Sequence, residues 1–252
     1  MKCQTAIFFL MIVCAAAASA QSPEIMFQQA NQLYQQGKVV EAKDLYETIL
    51  RNGYVSGDLY YNLGNAYYKA GNIPRAMLSF ERAVRLIPDD DDLRHNLQLA
   101  GMMITDRIEP VPKLFIWEYW DSLKHLFSVS SATWLLYGVY LVVIAGFTTM
   151  VLARRYVLRK AALIVGAAGT IVFLACLTLF IAKISDVNRA DEAILQSGIV
   201  TVKNSPDAKS SDAFVLHGGV KVQIIDKVGD WVKIRLADGK VGWMEETAAE
   251  VI

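Results

Sequence analysis

The sequence predicts a multidomain fold in three parts: an all-α region of helical repeats, a two-helix transmembrane hairpin and a small all-β barrel. Three observations predict it. Between residue 21 and about residue 108 small and aromatic residues recur at a spacing of 34. Two apolar runs without a charge, 133–153 and 161–182, follow, and after residue 194 apolar and polar residues alternate.

Each apolar run reaches the roughly 20 residues that a helix needs to cross a hydrocarbon core of about 30 Å. One charge at the centre of such a span would cost about 2.5 to 3.5 kcal/mol, and neither run contains one. Their connector, residues 154–160, holds Arg154, Arg155, Arg159 and Lys160. A short loop this basic is retained in the cytoplasm, which sets both flanks on the outer side of the membrane. The N-terminus agrees with export. Lys2, an apolar stretch over 6–13 and then Ala18-Ser19-Ala20 have the layout of a signal peptide over 1–20. A lipoprotein site at Cys14 is disfavoured by the bulky Met11-Ile12-Val13 before it.

The 25 basic and 25 acidic side chains give a formal net charge of zero, so composition implies neither a nucleic-acid partner nor a strongly acidic ligand. Cys3 and Cys14 fall in the signal peptide and Cys176 in the second span. The exported parts would then have neither a disulfide framework nor a cysteine metal site.

In the first part Ala30 and Gly64, Gly37 and Gly71, Ala42 and Ala76, and Tyr46 and Phe80 are each 34 residues apart. Small residues at 30 and 64 let paired helices approach, Tyr46 and Phe80 fill the space between them, and the glycines stand at turns. A unit of this kind cannot bury its apolar face alone and needs neighbours or a closing helix. Pro88 and the four aspartates 89–92, followed by an amphipathic stretch, supply one, with the acids placed where a helix N-terminus favours anions. The spacing and the run 59–68 resemble the tetratricopeptide repeat, with copies at about 23–56 and 57–90 and a capping helix over 91–107. The resemblance implies that the first helix of each repeat lines a concave groove. That groove would present Phe27, Asn31 and Tyr34 beside Tyr61, Asn65 and Tyr68, with amides for a peptide backbone and aromatic faces for apolar contact. The alternative is that the tyrosines pack against one another or against another domain of the chain.

Residues 109–131 carry Pro110, Pro112 and an aromatic segment with a stripe at Ile116, Trp120, Leu123 and Phe127. Tryptophan and tyrosine favour the headgroup layer, so this segment reads as an interfacial helix before the first span. A docking helix for a partner's span is the alternative.

Beyond a polar spacer, residues 199–203, 220–225 and 231–236 alternate with period two, separated by turn sequences such as Gly218-Gly219 and Asp238-Gly239. About five short strands pack naturally as a small barrel. The runs 216–222, 229–234 and 238–243 resemble a bacterial SH3 domain covering 194–252, so the third part is a small all-β SH3-like barrel. Relatives bind peptides, some of them cell-wall peptides, on aromatic shelves, which makes Trp231 and Trp243 the candidates here. Packing of the barrel end is the competing role for both.

No enzyme is predicted. His95, His125 and His217 lie in separate segments, and no nucleophile elbow or phosphate loop occurs. No cofactor or metal is expected. The order of parts, from signal peptide to repeats, aromatic helix, hairpin and SH3-like barrel, resembles the BatE family of the bacterial aerotolerance operon over essentially the whole chain. That resemblance implies a non-enzymatic scaffold in a membrane assembly with von Willebrand-type domain proteins and, indirectly, a MoxR-type ATPase. Two modules on one hairpin would then raise each other's effective concentration for a shared partner. The alternative is a cell-wall-binding anchor or envelope sensor that uses the barrel on peptidoglycan peptide.

Overall fold

The computed structural model describes residues 22–112, 114–125, 129–187 and 191–252. The expected signal peptide and Phe127 lie outside the described residues. The chain divides into two compact units, one built from the residues up to Glu109 together with Asp191–Ile252, the other from Pro110–Ala190.

Among the described residues the first unit begins with five helices, α1 (Pro23–Gln35), α2 (Val39–Arg51), α3 (Gly57–Lys69), α4 (Ile73–Leu86) and α5 (Asp91–Met102). Four start at a side-chain cap: Ser22, Ser56, Asn72 and Asp90 accept the backbone N–H of the residue three positions on, at 3.3, 3.1, 3.2 and 2.8 Å. Such caps satisfy N–H groups that the helix itself leaves without a partner. The turns closing α1 and α3 are chemically alike. Lys38 N–H donates to Leu33 O and Asn72 N–H to Tyr67 O, both at 2.9 Å. Between them Gly37 (φ 79°) and Gly71 (φ 78°) take the left-handed conformation that this helix ending requires.

Packing follows the 34-residue spacing. Ala30, Ala42, Ala76 and Phe80 are fully buried and Tyr46 nearly so. A methyl group on Gly64 would lie 2.5 Å from the Phe80 ring, so only a bare Cα lets α3 reach α4 at this depth. The capping helix ends at Met102, five residues short of the expected 107. Beyond it Ile104 and Ile108 turn to pack on the sheet domain, and the chain cannot meet that surface while continuing the helix.

Seven antiparallel strands complete the unit: β1 (Glu192–Leu195), β2 (Ile199–Lys203), β3 (Asp212–His217), β4 (Lys221–Val228), β5 (Trp231–Arg235), β6 (Val241–Glu245) and β7 (Ala249–Val251). Their order is β3-β2-β6-β5-β4-β1-β7. Irregularities at Val202/Lys203 and Ile224/Asp226 break the register. Bulges of this kind sharpen strand twist and help a small sheet to wrap a core. That core holds Leu195, Val202, Val222, Val232, Ile234 and Met244.

The second unit contains α6 (Phe115–His125), α7 (Val129–Leu152) and α8 (Tyr156–Val187). Residues 131–152 of α7 and 156–185 of α8 are long and apolar enough to cross a membrane. The helices are separated only by residues 153–155, so Arg159 and Lys160, expected in a loop, lie in the first turns of α8. At 1.5 Å per residue α8 spans about 48 Å, longer than a bilayer core, which a helix accommodates by tilting or by projecting into the interface. The pair meets through small residues. A Cβ on Gly146 would lie 3.1 Å from Gly166 Cα, and Ala162 is buried nearby. Close backbone approach replaces the hydrophobic effect where the solvent is lipid. On α6 Ile116 and Trp120 are exposed, as are Phe115 and Tyr119.

Candidate partner-binding surfaces

The inner faces of α1, α3 and α5 are joined by two asparagine pairs. Asn31 Oδ1 accepts from Asn62 Nδ2 at 3.0 Å and from the Tyr46 hydroxyl at 2.6 Å. One repeat later Asn65 Oδ1 accepts from Asn96 Nδ2 at 2.8 Å, and the same amide donates to the Tyr61 hydroxyl at 3.0 Å. Both carbonyl oxygens of the expected groove asparagines are therefore used within the unit. Their amide NH2 groups have no protein partner among the described residues, and a half-buried donor in that state is suited to a peptide carbonyl.

The aromatic members of the groove divide. Phe27 tilts on Tyr46 (6.0 Å between centroids) and Tyr61 on Phe80 (6.2 Å), so both are part of the packing. Tyr34 is half-buried with the Lys69 ammonium 5.2 Å from its ring centre. Burial, with Tyr61 nearby, pushes its phenol up. Tyr68 is exposed. Asn31, Tyr34, Tyr61 and Asn65 thus share one neighbourhood, with Tyr68 at its edge. Asn62 and Asn96 were missed in the sequence, although they are themselves 34 residues apart.

On the sheet the two tryptophans stand on the outer face, since Val232, Ile234 and Met244 between them point into the core. Trp243 is only 9% exposed. It pairs with Lys203 of β2 on one side and Lys233 of β5 on the other, and the Lys233 ammonium lies 5.7 Å from its ring centre. Lysine stems commonly cover apolar surface in this way while the charge stays wet. A shelf at Trp243 would first have to move these lysines. Trp231 is half-buried and lies opposite Glu245.

Repeats and sheet share an apolar interior. Ile194 of β1 is fully buried in the core of the repeats, with Ile252 beside it, while Ile104 and Ile108 reach the core of the sheet. Charged groups frame this contact. Lys221 Nζ bonds Glu81 and Glu192, both at 3.0 Å, and Arg85 reaches Glu192 at 3.4 Å and the Ile252 carbonyl at 2.9 Å. Asp106 accepts the His217 backbone N–H at 2.6 Å and lies 3.0 Å from its Nδ1. Repeats and sheet therefore form one joined body within this unit.

The tetratricopeptide repeat family model matches residues 27–91, and the bacterial SH3 domain model matches residues 199–249. The chain joins a tetratricopeptide repeat region to a bacterial SH3 domain. No curated protein matches it.

A polar cleft of about 310 Å³ opens on the next face of α3, where Tyr60, Leu63 and Tyr67 meet α2 and α4 of the tetratricopeptide repeats. Arg82 crosses it to Glu250 of the SH3 domain's last strand at 2.9 Å and to the Val251 carbonyl at 2.7 Å, with Tyr60 beneath its guanidinium. The Tyr67 hydroxyl donates to Glu47. Sequence reading gave no hint of this cleft, whose arginines look like ordinary solvated helix residues.

Two phenols and one ammonium tie stability to alkaline pH. Burial, with Tyr34 nearby, pushes the Tyr46 phenol up to about 12, and burial with the Glu47 hydrogen bond takes Tyr67 to about 12. Burial alone would pull the Lys221 ammonium down, but Glu81 and Glu192 more than offset it and hold it raised. In each case the folded value lies above the unfolded one, so the stabilisation is complete below about pH 10 and is lost as pH rises through the folded value. The melting temperature should therefore fall steeply between about pH 10 and 12. Thermal unfolding measured across that range in the wild type, Tyr46→Phe and Tyr67→Phe checks this, since each phenylalanine variant should show a shallower fall.

Proposed function

We propose that this chain is a membrane-anchored, non-catalytic adaptor that binds protein partners on the concave face of its tetratricopeptide repeats. The observation that carries the reading is the pair of half-buried asparagines, Asn31 and Asn65, each with its carbonyl satisfied and its amide donors without a protein partner among the described residues. Tyr34 and Tyr68 beside them add apolar surface at low entropic cost. An extended peptide segment of a partner is the ligand these groups suit.

Anchoring rests on the two apolar helices. The residues before and after them fold into one unit, which requires both flanks on the same side of the bilayer, as two crossings provide. The four cations at the helix junction favour the cytoplasm for that junction and the periplasm for the folded unit. The resemblance to the BatE family supports von Willebrand-type domain membrane proteins as the partners, a MoxR-type ATPase as an indirect one, and a role in stress or oxygen tolerance. A second reading, in which the SH3 domain holds peptidoglycan peptide, is favoured by one observation: Trp231 remains partly accessible on the outer sheet face.

The test is a photo-crosslinking residue placed at the exposed Tyr68 in the full chain in membranes. Capture of a von Willebrand-type domain protein, reduced by Asn31→Ala and Asn65→Ala in chains that still melt cooperatively, is the expected result. Capture unaffected by both substitutions would remove the concave face from the binding site. Retention on purified wall sacculi that disappears with Trp231→Ala would establish the second reading instead.

A further inference from the structure

We propose that the concave groove extends onto α5, where Leu99 and Met102 form an aliphatic subsite, and that the peptide it takes carries a leucine, isoleucine or valine at that end. This rests on the concave-face reading and narrows its ligand class.

The helix α5 begins a third repeat and does not merely close the second. Ser22, Ser56 and Asp90, the caps of α1, α3 and α5, are spaced by 34 residues, and each accepts the backbone N–H three positions on. Leu59 and Leu93, Leu63 and Leu97, and Ala66 and Ala100 keep the same spacing, and all six pack in the core of the repeats. Asn62 and Asn96 keep it too, each donating to the first helix of the preceding repeat. On this register Tyr61, Asn65 and Tyr68 of α3 continue as His95, Leu99 and Met102 of α5.

Leu99 is 36% exposed and Met102 73%, with Met103 beside them at 61%. A repeat array normally ends on a polar outer face. This one ends on apolar side chains at the groove positions. The change from asparagine to leucine has a physical cause. Asn31 and Asn65 each rely on an amide of the next repeat, Asn62 or Asn96, to occupy the carbonyl oxygen. Among the described residues no further repeat helix follows α5, so an asparagine at position 99 would lack that donor.

The groove therefore offers amide donors on its first two helices and aliphatic surface on its third. Packed helices stand about 8–10 Å apart and an extended peptide rises about 3.3 Å per residue, so the peptide advances about three residues per helix. It gives one carbonyl to Asn31 and, about three residues on, another to Asn65; about three residues further a side chain reaches Leu99 and Met102. A charged side chain there would lose water against an apolar surface, whereas a branched aliphatic one gains contact, and the unbranched methionine adapts to its shape.

The test selects peptides from a phage-displayed library of random dodecapeptides on the intact protein in lipid nanodiscs, then measures the enriched sequences as fluorescein-labelled peptides by anisotropy. The expected result is a set with one leucine, isoleucine or valine position whose replacement by alanine weakens binding to the wild type about tenfold. On Leu99→Asn and on Met102→Gln, the parent peptide and its alanine form should bind within about twofold of each other. Both residues are exposed, and Leu99→Asn follows the two preceding repeats, so the fold is kept, which cooperative melting checks. Asn31→Ala and Asn65→Ala should weaken both peptide forms alike. Peptides that need the asparagines but show no aliphatic preference, or keep that preference on Leu99→Asn and Met102→Gln, would overturn the α5 subsite and leave the groove standing. Selection of no peptide, or of peptides indifferent to both asparagines, would remove the groove and the subsite with it.

Discussion

Replacing Ile194 with alanine is expected to lower the melting temperature of the whole repeat and SH3 unit by roughly 5 to 15 °C, although the residue belongs to a short strand at the sheet's margin. Ile194 is fully buried, and the core that buries it is that of the helices. Truncating a buried isoleucine removes its transfer energy and leaves a cavity, together about 2 to 5 kcal/mol. The deciding measurement is hydrogen exchange read by mass spectrometry on the intact chain. Loss of protection in α4 and β4 together is the expected pattern, because Lys221, Glu81, Glu192 and Arg85 hold these elements as one group. Loss confined to the strands would show that the two parts open independently.

The same substitution at two helical glycines should have opposite signs. Alanine is preferred over glycine in a helix by up to about 1 kcal/mol. At Gly101 in α5 an added methyl meets nothing within 4 Å, so Gly101→Ala should gain a few tenths of a kcal/mol or more. At Gly64 the methyl would lie 2.5 Å from two carbons of the Phe80 ring, which is fully buried and cannot swing away. Overpacking of this kind costs about 1 to 3 kcal/mol, more than the helix preference returns. Gly64→Ala should therefore destabilise the repeats, and adding Phe80→Leu should restore part of the loss. Chemical denaturation of the three variants tests both signs at once.

Repetition made the helical region legible. A residue such as Gly64 carries little information alone, but its relation to Ala30, and that of Phe80 to Tyr46, identifies the helix contacts from spacing. The hairpin was legible for a different reason, since the cost of a charge in hydrocarbon leaves a plain compositional trace. What escaped notice depends on contacts between distant parts of the chain. β1 and β7 are four and three residues long, too short for alternation to register, and they become strands because β4 and each other offer partners. His217 stands alone in its segment of the sequence because its partner, Asp106, is 111 positions away. Asn62 and Asn96 had a signal in their shared spacing, but an asparagine beside a tyrosine-rich stretch reads as a polar surface residue until the facing helix is known. The expected helix over 91–107 failed at its end for a related reason: residues 104–108 obey the sheet, not local propensity.

The contact between Arg82 and Glu250 joins residues 168 positions apart. Closing so long a separation is slow, and it cannot begin before the last strand has been synthesised. During biogenesis the helices would complete themselves first, with the surface around Glu81 and Arg85 bare. Both long apolar helices then leave the ribosome before any residue that covers it. A nascent chain in that interval presents an apolar, charged-rimmed face to whatever is nearby, so pairing of the two apolar helices and final folding become successive stages of one schedule.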